Sequence, residues 1–237
     1  MAEIKGILFD KDGTLVDFQQ TWYALADLMA LHAADGDRTR ADALMVKAGY
    51  DYDRHCFRAD SVFAAGTNAD IVALWYPSAD ETRRKEMIIY FDTFTAEQGA
   101  LQSVPLPGSQ EAIASLHRAG FRMGVATNDS TGGAEKTLLA LGIAQMFDAA
   151  YGYDAVANPK PAPDTIQAFS DLTGLKPAEI AMVGDNRHDL EMAKAGGAGL
   201  AVGVLSGTGT RESLAPLADV VLDSIVELPG YLKASNL

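Results

Sequence analysis

Two aspartates separated by a single residue follow an apolar run near the start of the chain. The segment ILFDKDGTLVDF places Asp10 and Asp12 two positions apart, and in extended backbone such side chains point the same way. We therefore expect both carboxylates to face one pocket while Lys11 points elsewhere. Adjacent anions need a counter-ion, and Mg²⁺ favours oxygen ligands. Gly13 would then let the backbone approach a ligand closely.

Three later segments carry polar residues at the edges of predicted elements. FRMGVATND ends in Thr127 and Asn128, NPKPAPD places Lys160 before a helical pattern, and IAMVGDNRHDL supplies Asp185 and Asp189. Each segment taken singly also has a structural explanation. The alternatives are a strand-end turn, a solvated lysine, and a helix cap followed by an exposed acid. DKDG alone could likewise be a polar turn.

Short apolar runs that alternate with helical segments must position these residues. The runs that indicate buried strands are residues 4–9, 122–127, 149–153, 180–184 and 200–204, with an edge strand near Val221. The repeated order of strand and helix predicts an α/β fold, a doubly wound parallel sheet with a Rossmann-like core. Ligands of such sheets bind beyond the carboxyl ends of the strands, which is where Asp10 falls.

The region between the first two strands breaks this alternation. It carries helical spacing of apolar residues and almost no strand signal. We predict a helical cap domain over residues 17–103, inserted after the first strand into a core formed by residues 1–16 and 104–237. The chain returns through QSVPLPGSQ, where Pro105, Pro107 and Gly108 favour a reversal.

The composition limits the classes of partner and the location. A net charge of -13 disfavours nucleic acid and anionic membranes as partners, because both recruit basic residues. We expect a cytoplasmic protein, because the sequence shows neither a leader pattern nor an apolar run of membrane-spanning length. Cys56 is the single cysteine, which excludes an internal disulfide and a cysteine metal cluster. A monomer and a homodimer are both compatible with the sequence.

The motifs together resemble those of a known family. DKDGT resembles the DxDGT motif of the haloacid dehalogenase superfamily, specifically of its phosphatase branch. The segments ending in Thr127 and Asn128, containing Lys160, and containing Asp185 and Asp189 are similar to its second, third and fourth motifs, in the same order. Over the whole length the chain looks most like the phosphoglycolate phosphatases.

One position departs from the pattern of the family. Lys11 stands where an apolar residue is often found between the two aspartates of the motif. Because we expect its side chain to point away from the chemistry, we give this departure no weight.

The resemblance implies Mg²⁺-dependent hydrolysis of a small phosphorylated metabolite, similar to 2-phosphoglycolate, through an aspartyl phosphate. Asp10 would attack phosphorus, ionised at an ordinary aspartate pKa. Asp12 would protonate the leaving oxygen and then activate water. The implied catalytic residues are Asp10, Asp12 and Lys160. The implied phosphate ligands are Gly13, Thr127, Asn128 and Lys160, and the implied metal ligands are Asp10, Asp12 (through its carbonyl), Asp185 and Asp189.

The predicted insertion resembles the mobile cap of this family, which reads the non-phosphate end of the substrate. Our candidates for specificity are Phe18, Trp22, Arg54, Arg58 and Thr67, with Tyr50, Tyr52, His55, Gly66 and Asn68 beside them. One of the arginines could pair with a substrate carboxylate. For any single candidate, core packing or solvent exposure is the alternative. We interpret His188 as a surface helix residue.

Two other functions remain open at this stage. A phosphomutase similar to β-phosphoglucomutase would share every catalytic residue, and a non-catalytic phosphate-binding protein would be expected to lack one. A haloacid dehalogenase would have no acid at Asp12. A phosphonatase would need a cap lysine for a Schiff base, and the predicted cap offers Lys47 and Lys85.

Overall fold

A six-stranded parallel sheet forms the centre of the molecule. The computed structural model describes residues 3–235. Its strands are β1 (Gly6–Phe9), β2 (Tyr50–Asp51), β3 (Cys56–Phe57), β4 (Arg122–Ala126), β5 (Ala149–Tyr151), β6 (Ile180–Gly184), β7 (Leu200–Val204) and β8 (Val220–Leu222). The sheet order is β5-β4-β1-β6-β7-β8, and every neighbouring pair is parallel. The predicted doubly wound parallel sheet is thereby confirmed.

Strand β1 lies at the point where the strand order reverses, because β4 and β5 lie on one side of it and β6 to β8 on the other. Open α/β sheets bind ligands at such a switch point, beyond the carboxyl ends of the strands. The residues that follow Phe9 therefore enter the position at which this fold places a site.

Helices cover both faces of the sheet. They are α6 (Ser109–Arg118), α7 (Thr131–Ala140), α8 (Asp164–Thr173), α9 (Arg187–Gly196), α10 (Arg211–Leu214) and α11 (Leu228–Ala234). Ile7 and Phe9 pack into the apolar cluster that contains residues of α6, α7 and α11. Leu8 packs into the opposite cluster with α8, α9 and α10. Successive side chains of a strand point to opposite faces, so β1 is buried on both.

The segment after β1 is helical, as predicted, and contains one element that the sequence did not indicate. Its helices are α1 (Phe18–Ala33), α2 (Arg38–Ala48), α3 (Val62–Ala65), α4 (Asn68–Trp75) and α5 (Glu81–Gln102). Between α2 and α3, the strands β2 and β3 form a short antiparallel pair. Two-residue strands are too short for a period-two pattern, which is why the expectation of almost no strand missed them.

Two adjacent connections join this helical segment to the sheet. The amide of Asp17 donates to the carbonyl of Val104, and the amide of Leu106 donates to the carbonyl of Leu15. The helical segment also has an apolar cluster of its own, separate from the two clusters on the sheet. These observations support our proposed division into a cap, residues 17–103, and a core, residues 1–16 and 104–237. Residues 1, 2, 236 and 237 of that core lie outside the described residues.

Within residues 3–235, no helix combines the length and the apolar character needed to cross a membrane.

Candidate active site

Four charged side chains from separate parts of the chain come together at the carboxyl edge of the sheet. The ammonium group of Lys160 donates to Oδ1 of Asp10 over 2.7 Å and to Oδ1 of Asp189 over 2.6 Å. Carboxylate oxygens of Asp10, Asp185 and Asp189 lie within 4.8 Å of one another. All four residues are buried. Residues far apart in the chain therefore share one small volume, because parallel strands end at the same edge.

Gly13 allows the loop after β1 to pass close to Asp185. Its φ is 83°, and a Cβ atom there would lie 2.7 Å from Cγ of Asp185 and 2.8 Å from Cα of Gly207. A side chain at this position would be strained in conformation and would collide with backbone. The close approach that we expected toward a ligand is thus also an approach to another site residue.

A loop after β7 fixes Asp185, and the sequence analysis missed it. The amide of Thr208 donates to Oδ2 of Asp185 over 2.7 Å, and its hydroxyl group donates to the same oxygen. The hydroxyl of Ser206 donates to the carbonyl of Gly13. The signal was present as SGTG directly after a predicted strand, because glycine-rich loops at this edge of a sheet approach ligands closely.

Asp189 is fully buried rather than exposed on α9. Its Oδ2 atom accepts from the amide of Asn186 in a capping box, and its Oδ1 atom accepts from Lys160. Asp189 therefore holds Lys160 in place and caps its own helix. Its direct part in a metal site stays a prediction.

Burial changes the protonation of this cluster. It raises the pKa of Asp10 to about 7, with the charges of Asp189 and Asp12 adding to the effect and Lys160 opposing it. It also raises the pKa of Asp185, together with the charges of Asp10 and Asp189. Our expectation of an ordinary aspartate pKa for Asp10 is therefore wrong for the metal-free protein, because the sequence did not show how completely the carboxylate is buried.

The cluster fits a hard divalent cation. Three buried carboxylates face one lysine, whose pKa burial would lower but the charges of Asp10 and Asp189 raise above its ordinary value. The negative charge exceeds the positive charge, and all the available donors are oxygens, which Mg²⁺ prefers. The Asp12 carboxylate turns away from this cluster, so Asp12 could serve a metal only through its main-chain oxygen.

Lys11 does not point away from the chemistry, and this expectation is corrected. Its ammonium group lies 2.7 Å from Oδ2 of Asp12 and 3.2 Å from Oδ2 of Asp129, and its side chain is 2% exposed. The same group lies 5.0 Å from the ring centroid of Trp22, whose indole N–H donates to Oδ1 of Asp12. Burial alone would lower the pKa of Lys11, but the charges of Asp12 and Asp129 raise it.

A cavity of about 70 Å³ lies over these groups. Residues of the core and of the helical segment line it: Asp10, Asp12, Phe18, Trp22, Phe63, Ala64, Ala65, Gly66, Thr67, Asn68, Ile71, Thr127, Asn128, Asp129, Lys160, Asp185, Asn186, His188 and Asp189. We call it the active-site cavity.

Thr127 and Asn128 both line the active-site cavity, but they differ in what they contact. The hydroxyl oxygen of Thr127 accepts a hydrogen bond from the amide of Asp129, so its O–H group can still donate to a ligand. The side-chain amide of Asn128 donates to the carbonyls of Ala65 and Lys160, over 2.8 and 3.3 Å. Asn128 therefore links the core to the helical segment in this structure, and its role as a phosphate ligand stays a prediction.

The predicted specificity residues fall into two groups. Phe18, Trp22 and Thr67 line the active-site cavity, as do their neighbours Gly66 and Asn68. Among residues 3–235, the lining includes neither Arg54 nor Arg58. Arg54 has an 81% exposed side chain in the turn of the β2–β3 hairpin.

The other candidates of the hairpin region also lie outside the lining. Arg58 is exposed and donates to the carbonyl of Val46. Tyr50 is buried in the apolar cluster of the helical segment, Tyr52 donates to Asp42, and His55 is exposed. The hairpin thus carries all of them away from the cavity.

Sequence reasoning also missed cavity residues. Phe63 and Ile71 contribute apolar side chains, and His188, interpreted as a surface residue, is half-buried with Nδ1 3.3 Å from the carbonyl of Ala65. The short α3 gave too few residues for a periodic pattern. The histidine could have been found from its place in the first turn of a helix that follows a site strand.

The lysines of the helical segment do not approach this site. Lys47 donates to the carbonyl of Leu74, and Lys85 pairs with Glu81 on the surface. Among residues 3–235, the lining includes neither lysine, which counts against Schiff-base chemistry.

Comparison with known proteins gives a consistent family. The family model of the haloacid dehalogenase-like hydrolases matches residues 4–197. The phosphoglycolate phosphatase of Salmonella typhimurium is 30% identical over 96% of this chain and 92% of its own length. That of Escherichia coli K12 is 29% identical over 95% of this chain and 91% of its own.

Solved structures share the fold. A predicted phosphoglycolate phosphatase from Haemophilus somnus superimposes with a TM-score of 0.72 at 23% identity, covering 99% of both chains. A haloacid dehalogenase-like family hydrolase from Streptococcus pneumoniae gives a TM-score of 0.73 at 19% identity, covering 98% of this chain and 99% of that one.

Proposed function

The chain belongs to the haloacid dehalogenase-like hydrolases and is a phosphatase, and from that premise we propose that it is a Mg²⁺-dependent phosphomonoesterase that forms an aspartyl phosphate on Asp10. The observation that carries the proposal is the contact of Lys160 with Asp10 in a cluster shared with Asp185 and Asp189. The substrate in this proposal is a small phosphorylated metabolite, because the curated relatives of 29–30% identity are phosphoglycolate phosphatases.

In the first step, a carboxylate oxygen of Asp10 forms a bond to phosphorus while the bond from phosphorus to the leaving oxygen breaks. Asp12 gives its proton to the leaving oxygen, which departs as an alcohol. Lys160 and the hydroxyl of Thr127 bind the phosphoryl oxygens and offset their charge. In the second step Asp12 removes a proton from water, which attacks phosphorus and releases Asp10 and phosphate.

The carboxylate oxygens of Asp10 and Asp185 would hold the metal, together with the main-chain oxygen of Asp12. When bound, Mg²⁺ would supply positive charge that keeps these groups ionised and offsets the phosphoryl charge. The nucleophile needs this help, because burial, with the charges of Asp189 and Asp12, raises the pKa of Asp10 to about 7 in spite of Lys160.

The replacement Asp10→Asn tests the proposal. We expect phosphate release from a panel of small phosphomonoesters with Mg²⁺ to fall by about four orders of magnitude, as for other lost nucleophiles. Wild-type enzyme quenched in acid should carry phosphate that hydroxylamine removes, and the variant should carry none. Asp53→Asn, an exposed matched change, should retain full activity. Turnover by the Asp10→Asn enzyme within tenfold (about 1.4 kcal/mol) of wild type would exclude Asp10 as the nucleophile.

A phosphomutase is separated from this proposal by the product. Incubation with hexose 1-phosphates should yield no isomerised sugar phosphate, and any phosphoryl group that is removed should appear as free phosphate, because we propose that water is the final acceptor. Isomerisation with no phosphate release would reject the hydrolase.

A further inference from the structure

The roof of the active-site cavity is apolar. Phe18 and Trp22 from α1, Phe63 from α3 and Ile71 from α4 supply its large side chains. The rings of Trp22 and Phe63 pack edge to face, with centroids 6.2 Å apart. The part of a substrate that extends from the phosphate toward the roof therefore meets hydrocarbon.

The side-chain donors of Thr67, Asn68 and Trp22 are already engaged inside the protein. The amide and the hydroxyl of Thr67 both donate to Oδ2 of Asp70, each over 2.8 Å. The side-chain amide of Asn68 donates to Asp92 and Thr95, over 2.9 and 3.1 Å. The indole N–H of Trp22 donates to Asp12 below it. A substrate anion would have to break these bonds to gain one of these side-chain donors.

The charges around the active-site cavity give a second anion no support. Five aspartates line it: Asp10, Asp12, Asp129, Asp185 and Asp189. Among the described residues 3–235, the basic side chains of the lining are Lys160 and His188. Lys160 is held between two of the aspartates, and Nδ1 of His188 lies against the carbonyl of Ala65.

A carboxylate buried without a partner loses its hydration and gains nothing in return, which makes its binding unfavourable. An uncharged group of the same size avoids that loss and buries its carbon atoms against the rings. Arg54 and Arg58, which could have paired with a carboxylate, lie on the surface.

We infer that the non-phosphate end of the substrate is uncharged and packs against Phe18, Trp22, Phe63 and Ile71, so that the site discriminates against phosphorylated carboxylic acids, including 2-phosphoglycolate. This inference rests on the proposed phosphatase function and narrows its substrate class. The identity of 29–30% to the phosphoglycolate phosphatases leaves room for such a difference in the roof.

Two substrates that differ in a single charge test the inference. 2-Phosphoglycolamide replaces the carboxylate of 2-phosphoglycolate by an amide at the same size. With Mg²⁺, we expect kcat/KM for the amide to exceed that for the acid by about tenfold or more, a difference within the reach of a pocket. Equal values, or a preference for the acid, would overturn the inference.

A cation added to the roof should reverse the preference. Phe63→Arg should raise kcat/KM for 2-phosphoglycolate by about tenfold relative to the amide, because the carboxylate gains a partner. Phe63→Met, the uncharged control, should leave the ratio of the two substrates as in wild type. Ala64→Arg is the second variant, because it keeps all four large apolar side chains. If the ratio of kcat/KM for the acid and the amide is unchanged in both arginine variants, the inference that the roof lacks a partner for a carboxylate is contradicted.

Binding separates this inference from the proposed function. Calorimetric titration of the Asp10→Asn protein with each ester in the presence of Mg²⁺ measures discrimination without turnover. Tighter binding of the amide supports the inference even where the wild-type enzyme releases no phosphate, a result that would reject only the proposed function. Tighter binding of the acid overturns the inference even where both esters are hydrolysed.

Discussion

Two buried lysines, Lys11 and Lys160, each bridge two aspartates near the end of β1. The nucleophile cluster, Lys160 with Asp10 and Asp189, has N to O distances of 2.7 and 2.6 Å. The acid cluster, Lys11 with Asp12 and Asp129, has distances of 2.7 and 3.2 Å. Both lysines are almost completely buried.

The two clusters differ in what surrounds them. The nucleophile cluster is built from the core and shares the edge of the sheet with Asp185. The acid cluster also contacts α1, because the ring of Trp22 lies beside the Lys11 ammonium group and its N–H binds Asp12. Residues outside the helical segment therefore contact Asp10, whereas Trp22 of the helical segment also contacts Asp12.

Removal of Lys160 should give the largest effect of the changes that compare the two clusters. In Lys160→Met the nucleophile loses its cation and the phosphoryl group loses a donor, and we expect kcat to fall by about 10²–10³-fold. Steady-state phosphate release measures it. Lys136→Met, an exposed control on α7, should match wild type. A loss smaller than that of Lys11→Met would reverse the proposed ranking of the two lysines.

Removal of Lys11 should damage stability as well as turnover. In Lys11→Met the carboxylates of Asp12 and Asp129, which are 14% and 7% exposed, lose their partner. We expect a loss of about 3 kcal/mol in the free energy of unfolding and a smaller loss of kcat than in Lys160→Met. The double variant Lys11→Met with Asp129→Asn removes one of these charges and should recover part of the stability. Urea unfolding of wild type, the two single variants and the double variant measures the coupling. Additive effects would mean that Lys11 and Asp129 do not interact.

The sequence predicted the nucleophile cluster better than the acid cluster. Asp10, Lys160 and Asp185 follow strands or precede helices, and in a parallel sheet such positions converge on one edge. The role of Lys11 was missed because alternation of side chains assumes extended backbone. The chain turns directly after β1, where the amides of Leu15 and Val16 both donate to the carbonyl of Lys11.

The helical segment shows the same limit of prediction from sequence. Helical spacing located its helices, but the face that each helix turns toward the cavity depends on packing between elements distant in sequence. Phe18 and Trp22 were found because they follow the site loop closely. Arg54 and Arg58 were misjudged because a two-residue strand pair carries them outward, and Phe63 was missed because α3 spans only Val62–Ala65.

Loss of a proton from the nucleophile cluster should make the metal-free protein less stable as the pH rises. Asp10 has a folded-state pKa of about 7, above the ordinary value of 3.8. A carboxyl group with a raised pKa stabilises the fold fully below the unfolded pKa, and this contribution is lost as the pH rises through the folded pKa.

In EDTA we therefore expect the Tm to fall by several degrees between pH 5 and about pH 8. Mg²⁺ at pH 8 should restore it, since the cation binds the ionised cluster. Asp185→Asn removes a buried charge from the cluster and should weaken both responses. A Tm in EDTA that rises over this interval would contradict the raised pKa of Asp10.

The contact of the cap with the acid cluster should have a moderate effect. Trp22→Phe keeps a ring at this position but removes the N–H that binds Asp12, and we expect kcat to fall by about three- to tenfold, the equivalent of one hydrogen bond. The labelling of Asp10 by phosphate under a single turnover should remain, because the nucleophile cluster does not contact Trp22. A rise in KM with kcat unchanged would show that Trp22 only binds substrate.

The surface arginines of the hairpin should give the smallest effect. Both arginines are exposed. Arg54 pairs with Asp51, Arg58 donates to the carbonyl of Val46, and neither of these partners lines the cavity. An exposed ion pair or hydrogen bond at the surface contributes about 0–1 kcal/mol to stability, so Arg54→Ala and Arg58→Ala should keep kcat/KM within about twofold. The measurement is most informative with 2-phosphoglycolate as substrate. A fall in kcat/KM that is confined to 2-phosphoglycolate would show that the hairpin folds over the cavity during turnover and places a cation near the carboxylate of that substrate.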